Sequence, residues 1–399
     1  MSTRETTIAV EPQALRGAPV RAGLFTLTLL CLGHFCVDLY SGALGALQPL
    51  LVQKLHTSLT QVGILGGVLV FASSVMQPVY GYLSDRFHTR LFTILSPAVA
   101  GVFISSLGLA PSYGWLLLLV LLGGAGIAAF HPQASAGAVL VGPPEKRSRA
   151  MAVFVTAGSV GYALGPAYFS GIAGRWGLSG TYWAAAPAIL VSLLAGFFMP
   201  AVAAPAAHLR RRFDWSPLRA VWKPLTILYF LVFLRSVLQI TLGQFLPLYL
   251  CTERGSSISH ANYVLSAYLA AGAIGGFLGG HLADRFGGRA VILFSMIGSV
   301  PFLAAFFFTR GWSSVLGLIL GGFILLFTIP VNVVMAQELA PSQTGTVSAL
   351  MMGFAWGMAG MIFIPMVGYA ADLFSLTVVL PSLIVFPVIG FFLTLKLPK

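Results

Sequence analysis

Charge is what this sequence has least of. Only 8% of its 399 residues are Asp, Glu, Lys or Arg, and the acidic ones number 10. A soluble domain carries roughly 25%. With 58% hydrophobic residues and a mean hydropathy of +0.92, the chain has too little polar surface to face water on all sides. A soluble enzyme or soluble binding domain is excluded, and a membrane is required. Cysteine is scarce as well. Cys31, Cys36 and Cys251 fall at no metal-ligand spacing and form no disulfide framework, so they read as free thiols. The glycine-rich stretches Gly66-Gly67 and Gly123-Gly124-Ala125-Gly126 lack the Lys-Ser/Thr that a phosphate cradle needs, which excludes an ATP-driven pump. No catalytic triad and no zinc-ligand set can be read from the spacing, so neither an enzyme nor a metal site is expected. Residues 1–22 lack the apolar centre of a signal peptide and read as a disordered cytoplasmic tail.

What the chain does have is apolar length. Twelve runs, near 23–50, 59–83, 91–110, 115–140, 149–173, 180–203, 224–251, 260–283, 290–309, 312–338, 344–371 and 374–395, are long enough to cross a bilayer as helices. The short alternating segments of a membrane β-barrel do not occur. Ser58-Leu59-Thr60-Gln61 opens the second run with a capping-box pattern, and Ser257–His260 stands in the corresponding place of the second half. The expected fold is an all-α integral membrane protein with twelve transmembrane helices.

The chain also repeats itself. Gly81-Tyr82-Leu83-Ser84-Asp85-Arg86-Phe87 returns as Gly280-His281-Leu282-Ala283-Asp284-Arg285-Phe286. Pro49-Leu50 returns as Pro247-Leu248, and Pro166 as Pro365. A near-constant spacing of half the chain means two pseudo-symmetric six-helix halves, 23–203 and 224–399, joined by a basic, proline-bearing cytoplasmic linker over 204–223. Such a duplication in an apolar chain predicts a transporter that rocks one half against the other.

The net charge of +12 suggests a nucleic-acid partner, but the positions of the charges exclude one. Arg86, Arg90, Lys146, Arg147, Arg149, Arg210, Arg211, Arg212, Arg285 and Arg289 gather on one side of the predicted spans; Lys54, Arg175, Arg254 and Arg310 are all that lie on the other. That asymmetry predicts both termini in the cytoplasm, with membrane lipids as the surrounding partner. The compact loops suggest a bacterial inner membrane.

The loop from Gly81 through Asp85 and Arg86 to Arg90, with its second copy at Gly280, Asp284, Arg285 and Arg289, resembles the Gly-x-x-x-Asp-Arg-x-x-x-Arg signature of the major facilitator superfamily. The resemblance spans the chain, since the spans and the repeat fit too. It implies a monomeric carrier and a conformational switch at these two loops. In span 5, Gly158, Gly161 and Gly165-Pro166 resemble an element of that superfamily's proton-coupled drug antiporters, although Ala167-Tyr168 replaces the double glycine that follows. Three further fragments, Gly33-His34-Phe35-Cys36-Val37-Asp38, Gln77-Pro78-Val79-Tyr80-Gly81 and Phe130-His131-Pro132-Gln133-Ala134-Ser135, resemble the fosmidomycin-resistance branch, which exports a small anionic phosphonate drug. Two departures stand out. Val37 precedes Asp38 where that branch has Asn, and Gln133 follows His131-Pro132 where it has Glu.

Few ionisable residues lie deep in the spans, where a charge costs at least about 2.5–3.5 kcal/mol. Asp38 is the one deep carboxylate of the first half, with His34 and Ser41 about one turn away on the same face. Asp38 with His34 is the expected proton carrier. Arg235, with Gln239 a turn later, stands beside the repeat mate of Asp38 and is expected to hold an anion, or to neutralise Asp38 when the site is empty. His131, Gln133, Ser41 and Asn332 complete the expected substrate site. The reading is a proton-coupled exporter of a small, anionic compound, with the proton gradient as its energy source and no cofactor. Its rivals are an importer of an anionic nutrient, and a lipid flippase or non-transporting sensor.

Overall fold

The computed structural model describes residues 20–87, 89–140, 147–199 and 215–398. Most of the expected tail, and the linker up to residue 214, lie outside the described residues. Twelve helices are long and apolar enough to span a membrane: α1 (Gly23–Leu55), α2 (Leu59–Ser84), α3 (Leu91–Leu109), α4 (Tyr113–Leu140), α5 (Arg149–Trp176), α6 (Ser179–Phe198), α7 (Trp222–Thr252), α8 (Ile258–Phe286), α9 (Gly288–Phe308), α10 (Trp312–Leu339), α11 (Pro341–Phe374) and α12 (Leu376–Thr394). Among the described residues there is no strand. Helices satisfy every backbone group within one segment, which lipid demands. The expected caps form: Ser58 Oγ accepts from Gln61 N–H while Gln61 Oε1 accepts from Ser58 N–H, and Ser257 Oγ accepts from His260 N–H.

The first span is longer than its hydropathy suggests. It is interrupted at Gly42, continues past Pro49 to Leu55, and places Lys54 in its last turn, donating to the Gly108 carbonyl at 2.7 Å. Two π-helical turns, Phe71–Val75 in α2 and Ala349–Ala355 in α11, meet across the interface at mid-depth. Two cores form, one within the first half and one in the second half that also takes in Val62, Val70 and Ala163 of the first. One is built around Tyr40, Phe130, Phe154 and Phe169, the other around Phe245, Tyr268 and Phe306.

The halves meet through α1 with α7, α2 with α11, and α5 with α8. Their joining contacts lie from mid-depth to the face away from the two chain ends. A Cβ on Gly45 would strike the Gly243 carbonyl, and one on Gly63 would come within 2.6 Å of the Ile364 carbonyl. Backbones approach this closely only where no side chain intervenes. Ser266 Oγ accepts from Ala167 N–H at 3.0 Å, and Asn262 donates to the Ala46 carbonyl at 3.2 Å. At the rim, the Asp372 carboxylate of α11 caps the first turn of α2, accepting from the N–H groups of Leu59 and Thr60 at 2.8 Å each and from Thr60 Oγ1 at 2.5 Å. A carboxylate there completes orphan donors and complements the helix dipole.

That cap exists only while this face is closed. Asp372→Asn should therefore weaken closure by about 1 kcal/mol, a roughly fivefold shift toward the state open on this face. Spin-label distances across the rim between α2 and α11 should lengthen in population. An unchanged distribution would show that the cap does not bias the halves.

Candidate transport site

At mid-depth in the first half, the fold assembles three side chains that the sequence keeps far apart. His34 and Asp38 are one turn apart on α1, and His131 comes from α4. His34 Nε2 is 3.3 Å from one carboxylate oxygen of Asp38, and His131 Nε2 is 3.3 Å from the other. Both rings are oriented from behind. His34 Nδ1 is 2.8 Å from the Phe154 carbonyl of α5, and its ring stacks on Phe154 with centroids 4.1 Å apart. His131 Nδ1 is 2.8 Å from the Ile127 carbonyl one turn back. A carbonyl only accepts, so each Nδ1 carries its hydrogen and each Nε2 turns a lone pair to Asp38 unless a further proton is present.

Glycine makes the space. A Cβ on Gly158 would fall 2.5 Å from Asp38 Oδ2 and against His34, and Cβ atoms on Gly161 and Gly165 would strike the carbonyls of Phe35 and Leu39. The helix-5 motif ending at Pro166 is thus the surface on which α1 lies. Asp38 and His131 keep 20% and 24% of their side chains exposed at this depth, against 8% for His34. With the opposite face closed, that exposure leads toward the face that bears the chain ends.

Arg235 occupies the second half. It is 4% exposed and too deep in α7 to snorkel. It donates to Gln239 Oε1 in a short hydrogen bond and lies under the Trp356 ring, 5.8 Å from its centroid. Among the described residues its Nε has no hydrogen-bond partner, and neither does the buried hydroxyl of Tyr268. Among the described residues no carboxylate pairs with Arg235. The alternative in which it neutralises Asp38 is not what the structure contains: Asp38 is held by histidines and Arg235 by Gln239. Asn332 is fully buried, with both amide atoms unpartnered.

A cavity of about 50 Å³ at the interface is lined from both halves by Ser41, Tyr162, Gln244 and Trp356. This is room for a few waters, whereas a small-molecule site takes about 300 Å³ or more. The halves must part for a substrate to fit. Tyr162, Tyr268 and Trp356 were not singled out by the sequence, because a lone aromatic in an apolar span gives no signal.

Gln133 is placed elsewhere. Its Oε1 accepts from the N–H and hydroxyl of Thr93, and its Nε2 donates to Ser84 Oγ at 2.8 Å and to the Thr89 carbonyl. This corrects its expected place in the substrate site: the amide is spent on bracing the loop between α2 and α3. The two signature loops have a shared construction. Arg90 donates to the Met199 carbonyl at the end of α6, and its repeat mate Arg289 donates to the Leu395 carbonyl at the end of α12, 2.8 Å away. Each arginine caps the last helix of its own half. Arg86 donates to Tyr82 OH, Arg285 lies over Phe286, and Asp284 is exposed without an ion pair among the described residues. Gly81 and Gly280 face Pro132 and Pro330, and the Asp85 side chain lies outside the described residues.

A duplicated twelve-helix bundle with a carboxylate–imidazole cluster in one half and a lone guanidinium in the other is a membrane transporter, not an enzyme. The sequence matches the Major Facilitator Superfamily over residues 30–365, and the chain belongs to it. It is 30% identical to the fosmidomycin resistance protein of Escherichia coli, over 97% of both chains. It is 24% identical to a probable sulfoacetate transporter of Cupriavidus necator, over 87% of this chain and 86% of the relative. In fold it is similar to a bacterial homologue of the human lysosomal transporter Spinster in an inward-facing, unoccupied conformation, with a TM-score of 0.78 and 18% identity over 94% of this chain and 97% of that one.

Gly158→Ala should destabilise the protein by about 1–3 kcal/mol, the range for overpacking a tight contact. It should also separate His34 from Asp38, visible as a change in the imidazole nitrogen resonances of both histidines. Wild-type stability and unchanged resonances would mean that α5 yields freely at this point.

Proposed function

We propose that the protein is a proton-coupled exporter of a small anionic compound, working by alternating access as a monomer in a bacterial inner membrane, with both termini in the cytoplasm. The observation that carries this reading is the shortage of hydrogens around Asp38. Two Nε2 lone pairs and two carboxylate oxygens face one another at 3.3 Å. Each contact is attractive only with a proton in it. One proton satisfies one contact and two satisfy both, so the cluster gains and loses protons as water reaches it from alternate faces.

Arg235 supplies the other half of the cycle. A buried cation without a counter-ion is costly, by several kcal/mol, and an anionic substrate relieves that cost. A phosphonate or sulfonate head offers oxygens in the spacing of the guanidinium fork. The names of two relatives, for fosmidomycin resistance and for sulfoacetate, both point to small anions. The resistance relative favours export, and the Lys and Arg asymmetry favours the cytoplasmic placement of the termini. In that orientation the closed face is the outer one, and Asp38 and His131 are reached from the cytoplasm.

The test is pH-gradient-driven flux of a phosphonate and sulfonate panel in proteoliposomes. Wild type should move an anion against a proton flow, outward in the cellular sense, and Asp38→Asn should lose the dependence on the gradient. Asp38→Asn flux that still follows the gradient would make the aspartate structural. Flux with the protons, in the opposite direction, would make the protein an importer. In the same assay Arg235→Lys keeps the charge but loses the fork, and KM should rise about tenfold with little change in kcat. An unchanged KM would remove Arg235 from the binding site.

A further inference from the structure

The spacing of histidines and acids in the sequence offers no metal set, yet the fold builds one. The Nε2 atoms of His34 and His131 and the carboxylate of Asp38 all lie within 4.8 Å of one another. We propose that these three side chains form a binding site for a divalent transition cation of the Zn2+ class, with a fourth coordination position open toward the transport path. This inference rests on side-chain geometry alone and does not depend on the proton-coupling reading.

Four features support it. The donor set, two imidazoles and one carboxylate, is a familiar one for Zn2+ with an open position. In tetrahedral coordination at about 2.0–2.1 Å, neighbouring ligand atoms are about 3.3 Å apart. Both measured nitrogen–oxygen separations are 3.3 Å. The two rings face different oxygens, so the carboxylate turns its edge to the space between them and can offer one oxygen to an ion there.

The second feature lies behind the ligands. A metal-bound histidine nearly always donates its other ring N–H to a carbonyl or carboxylate, which fixes the tautomer and aims the lone pair. Here both do so, to the carbonyls of Phe154 and Ile127. Phe154 stacks on His34 and holds that ring in place. The site is therefore organised before any ion arrives.

The third feature is access. Asp38 and His131 are the partly exposed members of the cluster, and His34 is the buried one. An ion can enter from the exposed side, and a water or the oxygen of an anion can take the fourth position there. The fourth is charge. A divalent ion on one carboxylate and two neutral imidazoles leaves one net positive charge, which suits a site that also receives anions. A bound ion also occupies the lone pairs on which a proton would sit, so protons and metal compete for one site.

The experiment uses the full chain, purified in detergent and stripped with a chelator. Zn2+ alone is titrated by calorimetry, and Co2+ alone by visible absorption, whose intensity distinguishes four- from six-coordination. The expected result is one Zn2+ per chain and an intense, four-coordinate Co2+ spectrum. His131→Gln and His34→Gln should each weaken binding at least about tenfold. Asp38→Asn, which keeps the shape of the side chain, should do the same, while His281→Gln at the exposed end of α8 should change nothing. Zn2+ should raise the melting temperature of wild type but not of the three site variants. Binding that is absent, or that survives the site variants, would overturn the proposal. Such a failure leaves the proton reading untouched, because that reading is judged by flux without metal.

Discussion

A polar group in the interior of a bilayer has to find its partner within the protein, and the rest of this structure follows from that constraint. It forces the chain into helices and sends them past one another on glycine. It also makes every remaining polar side chain in the spans a commitment. Most are discharged locally. Thr394, Ser106 and Thr28 donate to carbonyls one turn back. Arg254 satisfies its guanidinium against Tyr249, Ser314 and three carbonyls at the end of α9. Among the ionisable groups deep in the described spans, two stand out: the Asp38 cluster, where acceptors face acceptors, and Arg235, whose charge has no counter-ion among the described residues. One lacks protons and the other lacks an anion. Those are the two species that an anion–proton exchanger has to handle.

The same constraint also shapes the contacts within and between the halves. Arg90 and Arg289 tie the third helix of each half to the end of its sixth, and the aromatic residues at the centre of each core come from one half. Between the halves the contacts are of another kind: carbonyls against glycine, one carboxylate on a helix start, two side-chain hydrogen bonds. Few large side chains interlock there. A surface of that type separates without exposing much that lipid or water cannot satisfy, which is what a rocking joint requires.

The fold was legible in the sequence because its signals are local or periodic. Span length, the repeated loop and the Ser58 cap each depend on neighbours in the chain. The site was legible only in part. Asp38 with His34 follows from helical spacing. The meeting of Asp38 with His131 does not, because it depends on how α1 and α4 cross, and no period along the chain encodes that. Gln133 shows the opposite failure. Two residues from His131 on a helix is more than half a turn around, and that rotation carries it from the cluster to the loop it braces. The sequence places Arg235 beside the repeat mate of Asp38. It says nothing of Trp356 or Tyr268, because aromatics are unremarked in a chain with 12% of them.

In the transport cycle proposed above, proton and anion act on each other through charge and need no wire between the sites. Asp38 and His131 sit in one half and Arg235 in the other, so each charge is a property of one rigid body, and their separation changes when the bodies rock. With the cluster protonated and Arg235 empty, the interior carries excess positive charge that the bilayer penalises. With the cluster deprotonated and a monoanion on Arg235, it carries one net negative charge instead. A cavity of about 50 Å³ holds little of the water that would screen these charges, so each is felt strongly. The balanced combinations are a bare cluster beside an empty Arg235 and a singly protonated cluster beside a monoanion, so the charge at one site sets the cost of loading the other.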